Sequence, residues 1–233
     1  MPADTPRVLI FDVNETLVDL APLGSCLEEV GLPARLLPVW FAGVLRDGIA
    51  LTLAGAPAPF AAVAGDGLRT LLAQGQPDGP DPERAVRHVL GALPALPVHP
   101  DVPDGVRALQ EAGFRLVTLT NGSSGTTRAA LARAGVARHF ETHLDVRGAG
   151  GRWKPAPDAY AHALRTVGID AADALLVSAH PWDVDGAARA GLGTAWVRRT
   201  ALPQPTAMRP ADREATDLTD LERQLRRPRV VPD

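Results

Sequence analysis

Hydrophobic and polar positions fall into two regimes along the chain. Four short apolar runs end in small or polar residues: Val8-Leu9-Ile10-Phe11 before Asp12, Phe114 to Leu119 before Thr120-Asn121-Gly122-Ser123, Ala174 to Val177 before Ser178-Ala179-His180, and Thr194 to Val197 before Arg198-Arg199. Runs this short and this uniformly apolar read as strands buried on both faces of a parallel sheet. Helical spacing occupies Pro103 to Ala112, Thr126 to Ala134, Pro157 to Val167 and Asp183 to Ala190. Strand and helix in alternation predict an α/β protein, a doubly wound parallel sheet with a Rossmann-like core.

Residues 20–98 break the alternation. They carry helical apolar spacing, as in Leu36-Leu37-Val39-Trp40-Phe41-Val44-Leu45, and no convincing strand. The pattern predicts a helical cap over 20–98 inserted into an α/β core made of 1–19 and 99–233. Within it, the Pro and Gly clusters Ala54 to Pro59 and Gly75 to Pro82 read as helix breaks and loops. An insertion directly after the first strand would hang over the carboxyl ends of the sheet, where it can exclude water and supply specificity. The polar C-terminal segment, Gln204 to Asp233, predicts one short helix near Leu218 to Leu225 and a frayed end.

Composition narrows the partners. The chain has 233 residues, 45% hydrophobic, with a formal net charge of −3, so no global basic field draws it to nucleic acid or to an anionic membrane. No run approaches the roughly 18 apolar residues of a membrane span. Cys26 is the only cysteine, which excludes an intramolecular disulfide and a Cys-rich metal site. With no basic region and apolar stretch of the signal-peptide kind at the start, a cytoplasmic location is expected. Gly148-Ala149-Gly150-Gly151 lacks the strand-turn-helix spacing of a dinucleotide fingerprint and reads as a flexible loop before Lys154.

The chemistry begins at Asp12, the one acid in its run. An apolar strand that ends on a carboxylate places that group at the edge of the sheet where α/β proteins bind and react. Taken alone, Asp12 could equally cap the strand end or accept backbone hydrogen bonds in the next loop. Strand-end segments that follow in chain order add Thr16, Thr120 with Asn121, Lys154, and Asp183 within Pro181-Trp182-Asp183-Val184-Asp185-Gly186-Ala187.

This ordered set resembles the haloacid dehalogenase superfamily, and its details are most similar to the type II L-2-haloacid dehalogenases. Thr120-Asn121-Gly122-Ser123 is similar to their Ser-Asn-Gly-Ser stretch. Lys154-Pro155, with Tyr160 six residues after the lysine, is similar to their lysine and tyrosine, and Ser178-Ala179-His180-Pro181-Trp182-Asp183 to their Ser-Ser-Asn-Ala-Trp-Asp, with Ala179 and His180 among the substitutions. The resemblance implies that Asp12 is a nucleophile that displaces halide from C2 of a small 2-halocarboxylate, forming an ester that water then hydrolyses. It implies further that Asp183 orients or deprotonates that water and that Lys154 keeps Asp12 ionised. Thr120 would hold the substrate carboxylate and Asn121 would contact the departing halide, with Thr16 and Ser178 as supports of the two carboxylates and Tyr160 orienting Lys154 or Asp183. His180, Trp182 and Asn14 complete the candidate wall.

Two positions separate this reading from its neighbours. A phosphatase of the superfamily uses a second carboxylate two residues after the nucleophile to protonate a poor leaving group; here that residue is Asn14, and halide needs no proton. Ala179 likewise stands at the first acidic position of the fourth motif and weakens a Mg²⁺ site. No cofactor is therefore expected, and Mg²⁺ belongs only to a phosphatase or phosphonatase-like alternative. A non-catalytic member that binds small anions or a partner is the third possibility. In the cap, aligning Trp40 with the family's tryptophan puts Phe41 where an arginine receives halide. Arg46 is the nearby replacement, turned by about 140° along a helix. The family resemblance also implies a possible homodimer.

Overall fold

A computed structural model describes residues 6–74, 81–201 and 203–226. Among these, six strands form one parallel sheet: β1 (Val8–Phe11), β2 (Arg115–Thr120), β3 (Thr142–Asp145), β4 (Ala174–Ser178), β5 (Gly193–Val197) and β6 (Arg213–Ala215), in the order β3-β2-β1-β4-β5-β6. The order reverses at β1, so the crevice beyond its carboxyl end is the position where such sheets bind ligands. Register places Phe11 beside Thr118 on one side and Val177 on the other, and the Asp12 N–H continues the ladder to the Val177 carbonyl at 3.0 Å.

Period-two alternation explains why the strands are apolar throughout. Val8 and Ile10 face one core with Val117, Leu119 and Leu176, whereas Leu9 and Phe11 face a second core with Leu116, Leu175 and Val177. The second core is closed by α5 (Val102–Glu111) and α9 (Leu218–Arg226), which supply Val106, Leu109, Leu218 and Leu221. On the first face lie α7 (Pro157–Val167) and the helices that follow β1. Completing the core are α6 (Ser124–Arg133), capped by Ser123, and α8 (Pro181–Arg189), which opens directly after β4.

Between β1 and α5 the described residues hold α1 (Leu23–Glu29), α2 (Leu37–Leu53), α3 (Phe60–Gln74) and α4 (Pro82–Ala92), with no named strand. The chain leaves and re-enters the core through a paired neck: Val18 bridges Val98, the Asp19 N–H reaches the Pro97 carbonyl at 2.9 Å, and the His99 N–H reaches the Leu17 carbonyl at 2.9 Å. The buried stripe of α2 (Trp40, Phe41, Val44) joins Val63 and Leu68 of α3 and Val86 and Val89 of α4 in the first core. The break at Ala54 to Pro59 separates α2 from α3; most of the Gly75 to Pro82 cluster and the end of the C-terminal tail lie outside the described residues.

Three expectations change. Ala34–Leu53 is a helical segment of 20 residues, long and apolar enough by length and composition to cross a membrane, which the count of consecutive apolar residues excluded. It packs one stripe into the fold, and Val39 and Leu53 are exposed. Two strands, β3 and β6, were not expected, being short and carrying polar residues such as His143 and Glu214. The glycine segment before Lys154 is partly helical: Val146–Ala149 forms a 3-10 turn, and Gly150 and Gly151 then take positive φ to reverse the chain.

Candidate active site

The segments that follow β1 and β4 converge on a single ammonium. Lys154 Nζ donates to Asp12 Oδ1 at 2.7 Å and to Asp183 Oδ2 at 2.6 Å, and both Lys154 and Asp183 are fully buried. Each remaining carboxylate oxygen has a hydroxyl donor: Thr16 Oγ1 to Asp12 Oδ2 at 2.6 Å, and Tyr160 Oη to Asp183 Oδ1 at 2.6 Å. Such short, charge-assisted bonds fix a carboxylate in one orientation. Asp183 also lies in the first turn of α8, where the helix end favours negative charge.

The surrounding backbone is tied down in turn. Asn121 clamps the Lys154 backbone from both sides, accepting from its N–H at 2.8 Å and donating to its carbonyl at 3.2 Å. The Ala179 N–H donates to Thr16 Oγ1 at 2.9 Å, linking the loops after β1 and β4. Gly186 allows α8 to approach: a Cβ there would lie 2.4 Å from Pro155 Cβ and 2.7 Å from Tyr160 Oη.

Burial and charge act in opposite directions on these groups. Burial alone raises the Asp12 carboxyl, but the charges of Lys154 and His180 and the bonds from Lys154 and Thr16 outweigh it and hold the group below the usual range. Asp183 goes the other way: burial, with the nearby Asp12 charge, lifts it above an ordinary carboxyl despite Lys154 and Tyr160. Burial lowers the Lys154 ammonium, yet the two carboxylates raise it overall. Burial and Asp183 push the Tyr160 hydroxyl well above its ordinary value. The site thus pairs an ionised nucleophile with a carboxylate of higher proton affinity, the division of labour that a nucleophile and a general base require.

On the accessible side of Asp12 stands an aromatic wall. His180 Nε2 lies 3.7 Å from Asp12 Oδ2 and 3.7 Å from Glu15 Oε2, and its N–H donates to the Asn14 carbonyl at 3.1 Å. Its ring stacks on Trp182 at 5.2 Å and faces Phe41 of α2 at 6.1 Å. Ser178 Oγ accepts the His180 backbone N–H at 3.1 Å, so it supports the wall and not the acids. Asn121 also departs from expectation, since its amide is engaged with Lys154. Thr120 Oγ1 accepts the Gly122 N–H at 2.9 Å and, with Asn14, lines a cavity beside the site.

Arg46 is the clear misplacement. Its side chain is 75% exposed and bonded to Asp47 at 2.7 Å, on the outer side of α2, while Phe41 is buried and faces His180. Glu15 and Arg199 were missed. Glu15 holds a left-handed backbone with φ 60, and burial raises its carboxyl beside His180 and Asp12. Arg199 donates to the Thr16 carbonyl at 2.8 and 3.1 Å and to Asp101 Oδ1 at 2.7 Å, bracing the nucleophile loop from the end of β5. Its position just past an apolar run was the available signal.

The donor set does not fit a divalent cation. Lys154 Nζ already stands between the two carboxylates, Asn14 and Ala179 bring no acid, and among the described residues no three acidic, histidine or cysteine side chains converge as ligands.

The haloacid dehalogenase-like hydrolase family model matches residues 6–191, and the chain belongs to that family. It is 25% identical over 223 residues to (S)-2-haloacid dehalogenase 4A of Burkholderia cepacia, covering 94% of each chain. It is 38% identical over 100 residues to haloacetate dehalogenase H-2 of Moraxella sp. (strain B), a match that covers 43% of this chain and spans only 44% of that enzyme. The solved structure of L-2-haloacid dehalogenase from Xanthobacter autotrophicus with chloropropionic acid covalently bound superimposes with a TM-score of 0.85 at 25% identity, over 95% of this chain and 98% of that one.

Proposed function

We propose that the chain is a hydrolase of the (S)-2-haloacid dehalogenase type, acting on the carbon–halogen bond of a 2-haloalkanoic acid. The observation that carries this reading is the Lys154 ammonium bonded to both Asp12 and Asp183, with Asn14 in place of a second acid. An Asp12 oxygen attacks C2, the C–O bond forms as the carbon–halogen bond breaks, and halide departs with its electron pair. Water then adds to the Asp12 carbonyl carbon, Asp183 taking its proton. The ester opens to release a 2-hydroxy acid, and Asp12 is regenerated carrying one oxygen from water.

The wall of Phe41, His180 and Trp182 forms the halide side in this reading, with the imidazole held in place by its bond to the Asn14 carbonyl. Atoms and electrons balance without a cofactor, and Lys154 does the electrostatic work of a metal. A reducing cytoplasm suits a chain with one cysteine. Self-association through the exposed Val39 and Leu53 of α2 belongs to the same reading and is checked by light scattering. The test is turnover of (S)-2-chloropropionate with EDTA present in H₂¹⁸O. Halide release together with a heavy oxygen on the Asp12 peptide supports the double displacement. Label found only in the product would overturn it.

A further inference from the structure

A cavity of about 420 Å³ lies between the helical insertion and the sheet, beginning at the catalytic loops. Its polar end is formed by Asn14, Thr120 and Asn121. The rest is largely apolar, walled by Phe60, Leu93, Ala130 and Trp153, with Ser123, Thr126 and Thr127 on the side of α6. Asp12 does not line it, but the two residues that follow Asp12 do, so the cavity leads away from the nucleophile past Asn14. The one charged residue on its lining is Arg147, whose guanidinium is largely exposed and paired with Asp145 at 2.7 Å.

We infer that this cavity receives the tail of the substrate, and that the preferred acids carry an extended uncharged alkyl or aryl group at C2. The inference rests on the displacement proposed above, because the head of such a molecule must reach Asp12. The lining matches an amphiphile: hydrogen-bonding groups where a carboxylate would sit, then apolar surface with no buried charge to oppose a hydrocarbon. Volume decides against the smallest acids. A water-sized group takes about 30 Å³, so the space holds on the order of fourteen non-hydrogen atoms, well beyond what a haloacetate or halopropionate fills. Each methylene withdrawn from water into such a wall strengthens binding by about three- to fourfold.

The experiment compares halide release from 2-bromopropionate, 2-bromohexanoate and 2-bromooctanoate by the native chain, Ala130→Phe and Ala61→Phe. Alongside it, calorimetry measures binding of octanoate and propionate, which carry no halogen. The expected result is kcat/KM rising by about threefold per methylene in the native chain. Each Phe variant loses that rise while still turning over 2-bromopropionate, and octanoate binds more tightly than propionate only to the native chain. Ala61 is exposed at the cavity mouth, so Ala61→Phe carries the comparison if Ala130→Phe does not fold. Rates that are flat or fall with chain length, with octanoate binding no tighter than propionate, would overturn the inference. Tight octanoate binding lost in the variants, with no halide released from any acid, would support the cavity's ligand class and remove the dehalogenase reading instead.

Discussion

Tyr160 illustrates how one hydroxyl sets the acid–base balance of the site. Its bond to Asp183 stabilises the ionised carboxylate and so lowers a pKa that burial has raised. Tyr160→Phe removes the donor, the Asp183 pKa rises further, and the acid limb of kcat moves to higher pH. A hydrogen bond to a charged group contributes about 1.5–3 kcal/mol, which corresponds to a displacement of about one to two pH units; steady-state halide release from pH 5 to 10 measures it. A limb that stays in place would mean that Asp183 is not the base. Lys154→Met is more severe, since it leaves two buried carboxylates facing each other without a counter-charge. Breaking a buried pair costs about 3–5 kcal/mol, so urea unfolding should show a loss of that order together with abolished halide release. His180→Ala, in contrast, keeps the Lys154 bonds to both carboxylates and removes only the imidazole beside Asp12. Loss of the imidazole from the wall beside Asp12 should lower kcat about tenfold, a barrier higher by about 1.4 kcal/mol, with little change in unfolding midpoint.

At the level of elements, the strands legible from the chain were those buried on both faces, because uniform apolar runs of four to six residues bounded by small or polar clusters are too short for a buried helix. β3 and β6 escaped for the opposite reason. They are edge strands with one side neighbour, and His143 and Glu214 sit where a central strand would carry valine. β3 still has a structural role through its last residue. Asp145 accepts the Ser124 N–H at 3.0 Å at the start of α6, the Arg147 N–H at 3.1 Å, and the Arg147 guanidinium. Burial raises this carboxyl, but the Arg147 and Ser124 bonds prevail and bring it down to about 2. A depressed folded-state pKa contributes stability that is fully present above the unfolded value near 3.8 and is lost as pH falls through about 2. Asp145→Asn should therefore lower Tm at pH 7 and narrow its gap from the native chain as pH falls from 4 to 2, which calorimetry across that range checks. A gap independent of pH would show that the carboxylate charge is not the source.

Across the whole molecule, the catalytic set was readable as far as chain order carries information, and it failed where only packing decides. Asp12, Lys154 and Asp183 stand at strand or loop ends in the expected sequence, whereas the solvent-facing rotation of Arg46 and the bracing of Thr16 by Arg199 depend on how the helices dock. That docking is concentrated on Trp153, the residue before the catalytic lysine. Its N–H donates to Thr52 Oγ1 at 3.1 Å, its indole N–H to the Ala58 carbonyl at 2.9 Å, and its ring stacks on Phe60 at 5.8 Å. Gly48 of α2 permits this contact, because a Cβ there would stand 2.3 Å from the Trp153 ring. One tryptophan thus ties α2, the break after it and α3 to the loop that delivers Lys154, while the paired neck at Val18 and Val98 holds the other side. Trp153→Ala should cost about 3–5 kcal/mol, the range for emptying a buried aromatic site. Gly48→Ala, which adds one methyl group to a contact with no room, should cost about 1–3 kcal/mol through overpacking. Because both act on the seam between insertion and core, each should also lower kcat for 2-bromopropionate without altering Asp12, Lys154 or Asp183 themselves. Unfolding followed by tryptophan fluorescence, with halide release on the same samples, separates the outcomes: stability lost with kcat unchanged would mean that Lys154 is placed by Asn121 and the core alone.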